Sequence, residues 1–170
     1  MLKENSKEDF YYLKSYGLYV QNKFDDVVNI CNEIEKNINE KSVYFDDTFI
    51  RLGWSFYKLK NYEKSSYFFE KVYKNSKLPE SKVQSIYGLI LSLGELNSFN
   101  RLNHFFKEYN EKFKSDKEYN KEIYTIVSES YIKNNKYDDA EKIINIILKE
   151  YKDNDLIKSL ISVLIKQKKY

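Results

Sequence analysis

The sequence predicts an all-α protein, built as an α-solenoid of antiparallel helix hairpins with about nine helices in a single domain. Three observations support this fold class. A pattern of polar residues, one aromatic residue and a helical run occurs four times at a nearly constant spacing. Apolar residues recur three and four positions apart, as on one face of an α-helix. The 170 residues include only four glycines and one proline, whereas sheets and tight turns usually need more.

The four copies of the pattern align on one aromatic residue each. These residues are Phe24, Tyr62, Phe99 and Tyr137, at spacings of 38, 37 and 38 residues. Such a steady period is typical of a solenoid, because one hairpin cannot bury its apolar stripe and stacked hairpins can. The repeats are predicted over 8–41, 44–77, 80–115 and 118–152, and a C-terminal capping helix over 155–168.

Each repeat is expected to contain two helices, read from the apolar spacing. Ile143, Ile144 and Ile147 mark the second helix of the fourth repeat, and Pro79 suits the first turn of a helix, where its missing N–H costs nothing. The predicted helices cover 8–21, 25–39, 44–59, 62–75, 80–93, 99–113, 118–133 and 137–151. The capping helix carries an apolar set that is large for a solvated cap. Either it packs extensively on the fourth repeat, or the natural chain continues or dimerises at this helix.

The second repeat carries a recognisable set of residues. They are Phe49, Leu52, Gly53 and Phe56 in its first helix, then Tyr62, Ser65, Phe69 and Val72 in its second. This arrangement resembles the tetratricopeptide repeat, in which aromatic, Leu-Gly and aromatic residues precede a helix with small and aromatic residues at set spacing. The resemblance implies a right-handed superhelix whose concave face is lined by the first helix of each hairpin.

The third repeat departs most from the family pattern. Ile90 takes the place of the glycine, and Leu102 and Tyr109 take the places of two alanines. Bulk at these places is expected to separate the paired helices.

The period is also longer than the family norm of about 34 residues. Extended second helices of this kind are similar to repeats in bacterial envelope-assembly proteins, which implies an alternative role in such a system.

Composition and charge exclude several classes of function. The net charge is +3, with 29 basic and 26 acidic residues, and this balance argues against a nucleic-acid partner, which normally meets a clustered basic face. Only Arg51 and Arg101 are arginines. No stretch is apolar and long enough to predict a membrane span. The N-terminal residues lack the apolar segment of a signal peptide, so a cytoplasmic setting is expected, or the envelope if a signal or anchor precedes Met1.

No catalytic or metal-binding set of residues stands out, so neither an enzyme nor a cofactor is expected. His104 is the only histidine and is expected at or near the surface. Cys31 is the only cysteine and is expected to be a packed thiol, since free cysteine is among the most buried residue types. The paired aspartates 25–26, 46–47 and 138–139 are expected to serve helix starts rather than acid–base chemistry.

The resemblance places ligand contacts on one stripe of each first helix. The residues at the matching positions are Tyr12, Tyr16, Tyr19, Ile50, Trp54, Tyr57, Tyr87 and Leu91. Tyr and Trp dominate measured binding hot spots, and Trp54 is the only tryptophan in the chain. The stripe is therefore predicted to be a peptide-binding groove, and the alternative is that these side chains pack on adjacent helices.

Two functions remain open from the sequence. The first is a non-catalytic scaffold that binds a protein or peptide segment through the aromatic groove. The second is a structural module that forms homo-oligomers, such as a dimer, through the apolar C-terminal helix or the aromatic stripe. The clamp by which some family members hold the acidic tail of heat-shock chaperones is not expected, because its asparagine places hold Tyr16 and Ser55 or Trp54.

Overall fold

The computed structural model describes residues 5–114, 117–151 and 154–166, and all regular secondary structure in these ranges is helical. Consecutive helices pack on one another, so the predicted all-α fold class is confirmed. The helices are α1 (Asn5–Val20), α2 (Phe24–Asn29), α3 (Cys31–Asn37), α4 (Phe45–Lys58), α5 (Tyr62–Asn75), α6 (Pro79–Glu95), α7 (Phe99–Lys112), α8 (Asn120–Lys133), α9 (Tyr137–Glu150) and α10 (Asn154–Lys166).

Most predicted helices agree with the observed ones to within a few residues. The prediction over 62–75 coincides with α5, and Pro79 is the first residue of α6, as expected from its missing N–H. The last two residues of the predicted capping helix, 167 and 168, lie outside the described residues, as do the predicted repeat ends at 115 and 152.

The predicted helix over 25–39 is divided in the structure. α2 ends at Asn29, and α3 begins at Cys31. Ile30 lies between them with φ −95° and ψ 8°, and its N–H donates to the Val28 carbonyl oxygen. The chain therefore has ten helices in its described part where about nine were predicted. The segment contains neither proline nor glycine, so nothing in its sequence marks the break.

The turn inside each hairpin has the same backbone in all four repeats. One residue in each turn is left-handed, and these residues are Asn22 (φ 58°), Lys60 (60°), Asn97 (51°) and Asn135 (58°). In the second repeat, the Asn61 N–H donates to the Phe56 carbonyl oxygen and the Lys60 N–H to that of Tyr57, both at 2.9 Å. Equivalent bonds form in the other three turns. This is the Schellman arrangement, which satisfies the last carbonyl groups of a helix.

Contacts divide the chain into two compact units, Met1–Ser92 and Leu93–Tyr170. In the first unit, α4 packs on α5, α1 and α2. Its core includes Val27, Ile34, Phe49, Leu52 and Ile86, all fully buried.

The Phe69 ring fills a space that two glycines leave open in the first unit. A Cβ atom added at Gly53 would lie 2.8 Å from this ring, and one at Gly88 would overlap it. Beside the ring, the buried hydroxyl of Ser65 donates to the Gly53 carbonyl oxygen at 2.9 Å and lies 2.8 Å from that of Ser92. α4, α5 and α6 therefore approach closely at this point.

The second unit is built from packed consecutive helices as well. α8 packs on α7 and α9, and α10 packs on α9. Leu102, Ile123, Val127 and Ile144 are fully buried, and Tyr109 is buried with its hydroxyl donating to Asn120 Oδ1 at 2.8 Å. In the part of the chain that the structure describes, no helix has both the length and the apolar character that a membrane crossing requires.

Candidate functional site

The eight residues of the predicted groove all lie on α1, α4 and α6 of the first unit. On each helix their spacing of three or four residues places them on one face. Contacts also join the three helices along this face. The Arg51 guanidinium on α4 lies against two tyrosine rings of α1, and Trp54, one turn further along α4, contacts Tyr87 of α6. We refer to the eight residues, together with Arg51, as the aromatic stripe.

Two of the eight predicted residues are part of the core. Ile50 is 6% exposed and Leu91 is 7% exposed, and both are apolar side chains packed in the core of the unit. The other six keep accessible surface. Tyr12, Tyr19, Trp54, Tyr57 and Tyr87 are half-buried, and Tyr16 is exposed. Whether a partner contacts them stays a prediction.

Trp54 is the centre of an aromatic cluster. Its ring lies 4.9 Å from that of Phe69 and 5.7 Å from those of Tyr57 and Tyr87, measured between centroids. The Phe69 contact is edge-to-face, a favoured geometry for aromatic pairs. The Trp54 ring thus packs on the core residue Phe69 and remains half-buried.

Tyr19 and Tyr57 occupy equivalent positions in successive repeats and have equivalent neighbours. Each packs edge-to-face on the aromatic residue that opens the second helix of its own hairpin. Tyr19 lies 5.5 Å from Phe24, and Tyr57 lies 5.3 Å from Tyr62. For these two residues, packing within the hairpin explains part of the aromatic character that suggested a groove.

Arg51 is the component of the stripe that sequence reasoning missed. It is only 8% exposed, and its Nη1 donates to Ser15 Oγ at 2.8 Å. The guanidinium lies 5.2 Å from the centroid of Tyr12 and 5.3 Å from that of Tyr16, both within cation–π range. The signal in the sequence was that Arg51 is one of only two arginines in a lysine-rich chain.

Tyr12, whose ring contacts the Arg51 guanidinium, is itself held in place by neighbouring residues. The Tyr12 ring stacks on Tyr44 at 4.4 Å, and the Tyr44 hydroxyl donates to Asp9 Oδ1 at 2.6 Å. This hydrogen bond to Asp9 raises the pKa of Tyr44. The ring that faces Arg51 is therefore supported from behind by a second tyrosine.

Burial dominates the electrostatics around Arg51. Burial lowers the pKa of its guanidinium, while Tyr12 and Asp47 act in the opposite direction. Burial also raises the pKa of Tyr19, against the nearby positive charge of Arg51. Because arginine stays protonated in proteins, the guanidinium is charged at neutral pH. The stripe thus contains a permanent positive charge surrounded by neutral aromatic rings.

The other residues considered for chemistry in the sequence lie where a structural role explains them. His104 is exposed, with its ring edge-to-face on Phe105 at 5.0 Å. Cys31 is buried, as predicted, and burial followed by the negative charge of Glu35 raises the pKa of its thiol to about 11. The aspartate pairs 25–26, 46–47 and 138–139 lie in the first turns of α2, α4 and α9, as predicted. Among the described residues, no cluster of His, Cys, Asp and Glu side chains has the arrangement of a metal site.

Two clefts of about 350 and 480 Å³ occur in the first unit. Both are lined by loop residues around 39–44, and neither is lined by any of the eight predicted groove residues. The stripe is therefore distinct from these clefts.

Comparison with known proteins gives no further guide to function. The chain has no significant match to a protein-family model, to a curated protein or to a solved structure.

Proposed function

We propose that this protein is a non-catalytic protein–protein interaction scaffold that holds a segment of a partner protein on the aromatic stripe. The observation that carries the proposal is the set of six accessible aromatic residues on three neighbouring helices of one unit. Rings supply large contact area with few rotatable bonds, so their ordering on binding costs little entropy. An aromatic surface of this kind, distinct from the two clefts, suits an extended or helical peptide.

The proposal includes membership of the tetratricopeptide repeat family. Each of the four turns has one residue in the left-handed conformation, and these residues recur at spacings of 38, 37 and 38 residues, which supports a true structural repeat. The Phe69 ring lies against Gly53, so two residues that carry the resemblance in the second repeat are in contact across the hairpin. A cytoplasmic setting belongs to the same proposal.

The matched pair Tyr16 and Tyr67 allows a sharp test. These tyrosines are 50% and 52% exposed, but only Tyr16 lies on the stripe. Peptides are first selected from a random display library on the full-length wild-type chain. We expect Tyr16→Ala and Trp54→Ala to weaken their binding by roughly 10-fold or more, as for hot-spot residues, and Tyr67→Ala to leave it unchanged.

Thermal melting of the same variants separates binding from folding. Loss of binding with little change in melting temperature supports the groove. A large drop in the melting temperature of Trp54→Ala indicates that the ring acts mainly in packing. Selection of no peptides, or equal binding by all variants, would refute the proposal.

A specific observation favours self-association as a second candidate function. On α10, Ile157, Ile161 and Ile165 are 44%, 52% and 52% exposed, at a spacing that places all three on one face. Contiguous exposed apolar surface usually marks an interaction site. In this alternative the chain is a structural repeat module that joins copies of itself, as in an envelope-assembly system.

A further inference from the structure

Arg51 carries a buried charge that forms no ion pair with any side chain in the described part of the chain. Arg51 is 8% exposed, and its close contacts among the described residues are the Ser15 hydroxyl and the rings of Tyr12 and Tyr16, all of them neutral. Asp47, one turn earlier on α4, is exposed and attracts the guanidinium without forming an ion pair with it in the described structure. Removing an ion from water is unfavourable unless a partner compensates for the lost hydration.

The guanidinium also has hydrogen-bonding capacity to spare. Arginine carries five N–H groups in a planar fork, and the hydroxyls of Ser15 and Tyr12 take at most two of them. Within the described residues, the one sealed side-chain polar atom without a partner is Thr48 Oγ1. No nitrogen of Arg51 is therefore both unpartnered and sealed, so each of them has a hydrogen-bond partner or keeps some contact with solvent.

The position of Arg51 within the stripe defines what would bind it. Tyr16 on α1 lies against the guanidinium, and Trp54, one turn further along α4, contacts Tyr87 of α6. A segment that crosses these helices meets aromatic surface, then the positive charge, then aromatic surface again. A chain terminus held at Arg51 would leave one of the two aromatic surfaces uncovered.

We propose that the partner segment carries an internal aspartate or glutamate flanked on both sides by apolar residues, and that its carboxylate pairs with Arg51 between Tyr12 and Tyr16. This inference rests on the proposed function, because it names the chemistry of the segment that the stripe holds. The planar fork of arginine matches a carboxylate through two parallel hydrogen bonds, which lysine cannot provide. The flanking apolar residues contact Tyr16 on one side and the Trp54 cluster on the other.

The test uses the peptides selected on the full-length wild-type chain, each compared with a twin in which the acidic residue is changed to its amide. We expect the amide twin to bind roughly 10- to 100-fold more weakly, the usual effect of removing one charged hydrogen-bond partner. Arg51→Gln should abolish this difference. Arg101→Gln, which alters the other arginine, should preserve it.

A third peptide that ends in a free carboxylate at the acidic position tests the internal placement, and we expect it to bind more weakly than the parent. Circular dichroism checks the folding of Arg51→Gln. If that variant does not fold, the wild-type comparison of acid and amide twins decides, together with Arg51→Lys, which should retain only part of the difference.

The outcomes separate this inference from the proposed function. The inference is overturned if the selected peptides need Trp54 but lack an acidic residue, or if each amide twin binds as well as its acidic parent. Either result is still consistent with the proposed scaffold function. Tighter binding of the free-carboxylate peptide overturns the internal placement. Failure to select any Trp54-dependent peptide overturns both.

Discussion

Phe69 shows how single residues set the distance between helices in the first unit. Its side chain is fully buried and lies against Gly53 of α4 and Gly88 of α6. Any other residue at either glycine would place a Cβ within 3 Å of the ring, so the ring would have to shift. Gly17 on α1 differs, since a Cβ added there would have no atom within 4 Å. Two helical glycines of the first unit thus make room for a core ring, whereas the third has open space around it.

We expect Gly88→Ala to lower the free energy of unfolding by about 2 kcal/mol, because overpacking of a core outweighs the gain in helix propensity. Gly17→Ala is the matched control and should raise it by up to about 1 kcal/mol through propensity alone. Urea unfolding followed by Trp54 fluorescence measures both, since Trp54 lies 4.9 Å from the Phe69 ring. A neutral or stabilising Gly88→Ala would mean that the ring can move aside.

At the residue scale, the sequence predicted side chains that follow a pattern and missed those that depend on neighbours. Cys31 was correctly predicted to be packed, because free cysteine is among the residue types that are most often buried. Arg51 was missed, because its burial results from tyrosines of α1 that lie far away in sequence. Ile50 was assigned to the groove, but α4 is buried on so much of its surface that this side chain belongs to the core.

The helix–turn–helix hairpin is the element that repeats most faithfully. Its turn places one residue in the left-handed region, where a side chain other than glycine is strained. Asparagine tolerates this conformation better than most residues, and it occupies three of the four turns, at 22, 97 and 135. Lys60 occupies the fourth with φ 60° and has no such advantage.

We therefore expect Lys60→Gly to stabilise the first unit by about 0.5–1 kcal/mol, because glycine adopts this conformation without strain. Lys64→Gly is the control, because Lys64 lies inside α5, where the same change should destabilise by about 1 kcal/mol. Chemical denaturation with Trp54 fluorescence compares the two variants. Destabilisation by Lys60→Gly would show that the lysine side chain itself holds the turn.

At the element scale, helix bounds were predictable and local backbone detail was not. The aromatic residue that begins each second helix located α5, α7 and α9 to their first residue. The asparagines at a fixed position before that aromatic residue would have revealed the turn, but Lys60 hides the regularity. The break between α2 and α3 was not predictable, because the apolar spacing continues through Ile30 without interruption.

At the scale of the whole molecule, the period of 37 to 38 residues predicted a fold of consecutive packed helices, because each hairpin must bury its stripe on a neighbour. The division of contacts into two compact units was not predicted, since the repeat signal continues across residues 92 and 93. The partner was also beyond prediction, because accessible aromatic surface indicates binding without specifying the ligand.

The isoleucine face of α10 leads to a prediction about the assembly of the chain. Three exposed isoleucines on one helix form a small apolar surface, so we expect weak, concentration-dependent self-association. Light scattering over a range of concentrations should show a rising mass for the wild-type chain. Ile161→Lys should abolish the rise, because a charge would have to be buried between the two copies. Val43→Lys, which changes an apolar loop residue of the first unit that is 89% exposed, should leave the rise unchanged. A constant monomer mass for the wild-type chain at the highest concentration would exclude the isoleucine face as a self-association site. If the mass still rises with concentration in Ile161→Lys but not in Tyr16→Ala, self-association belongs to the aromatic stripe instead.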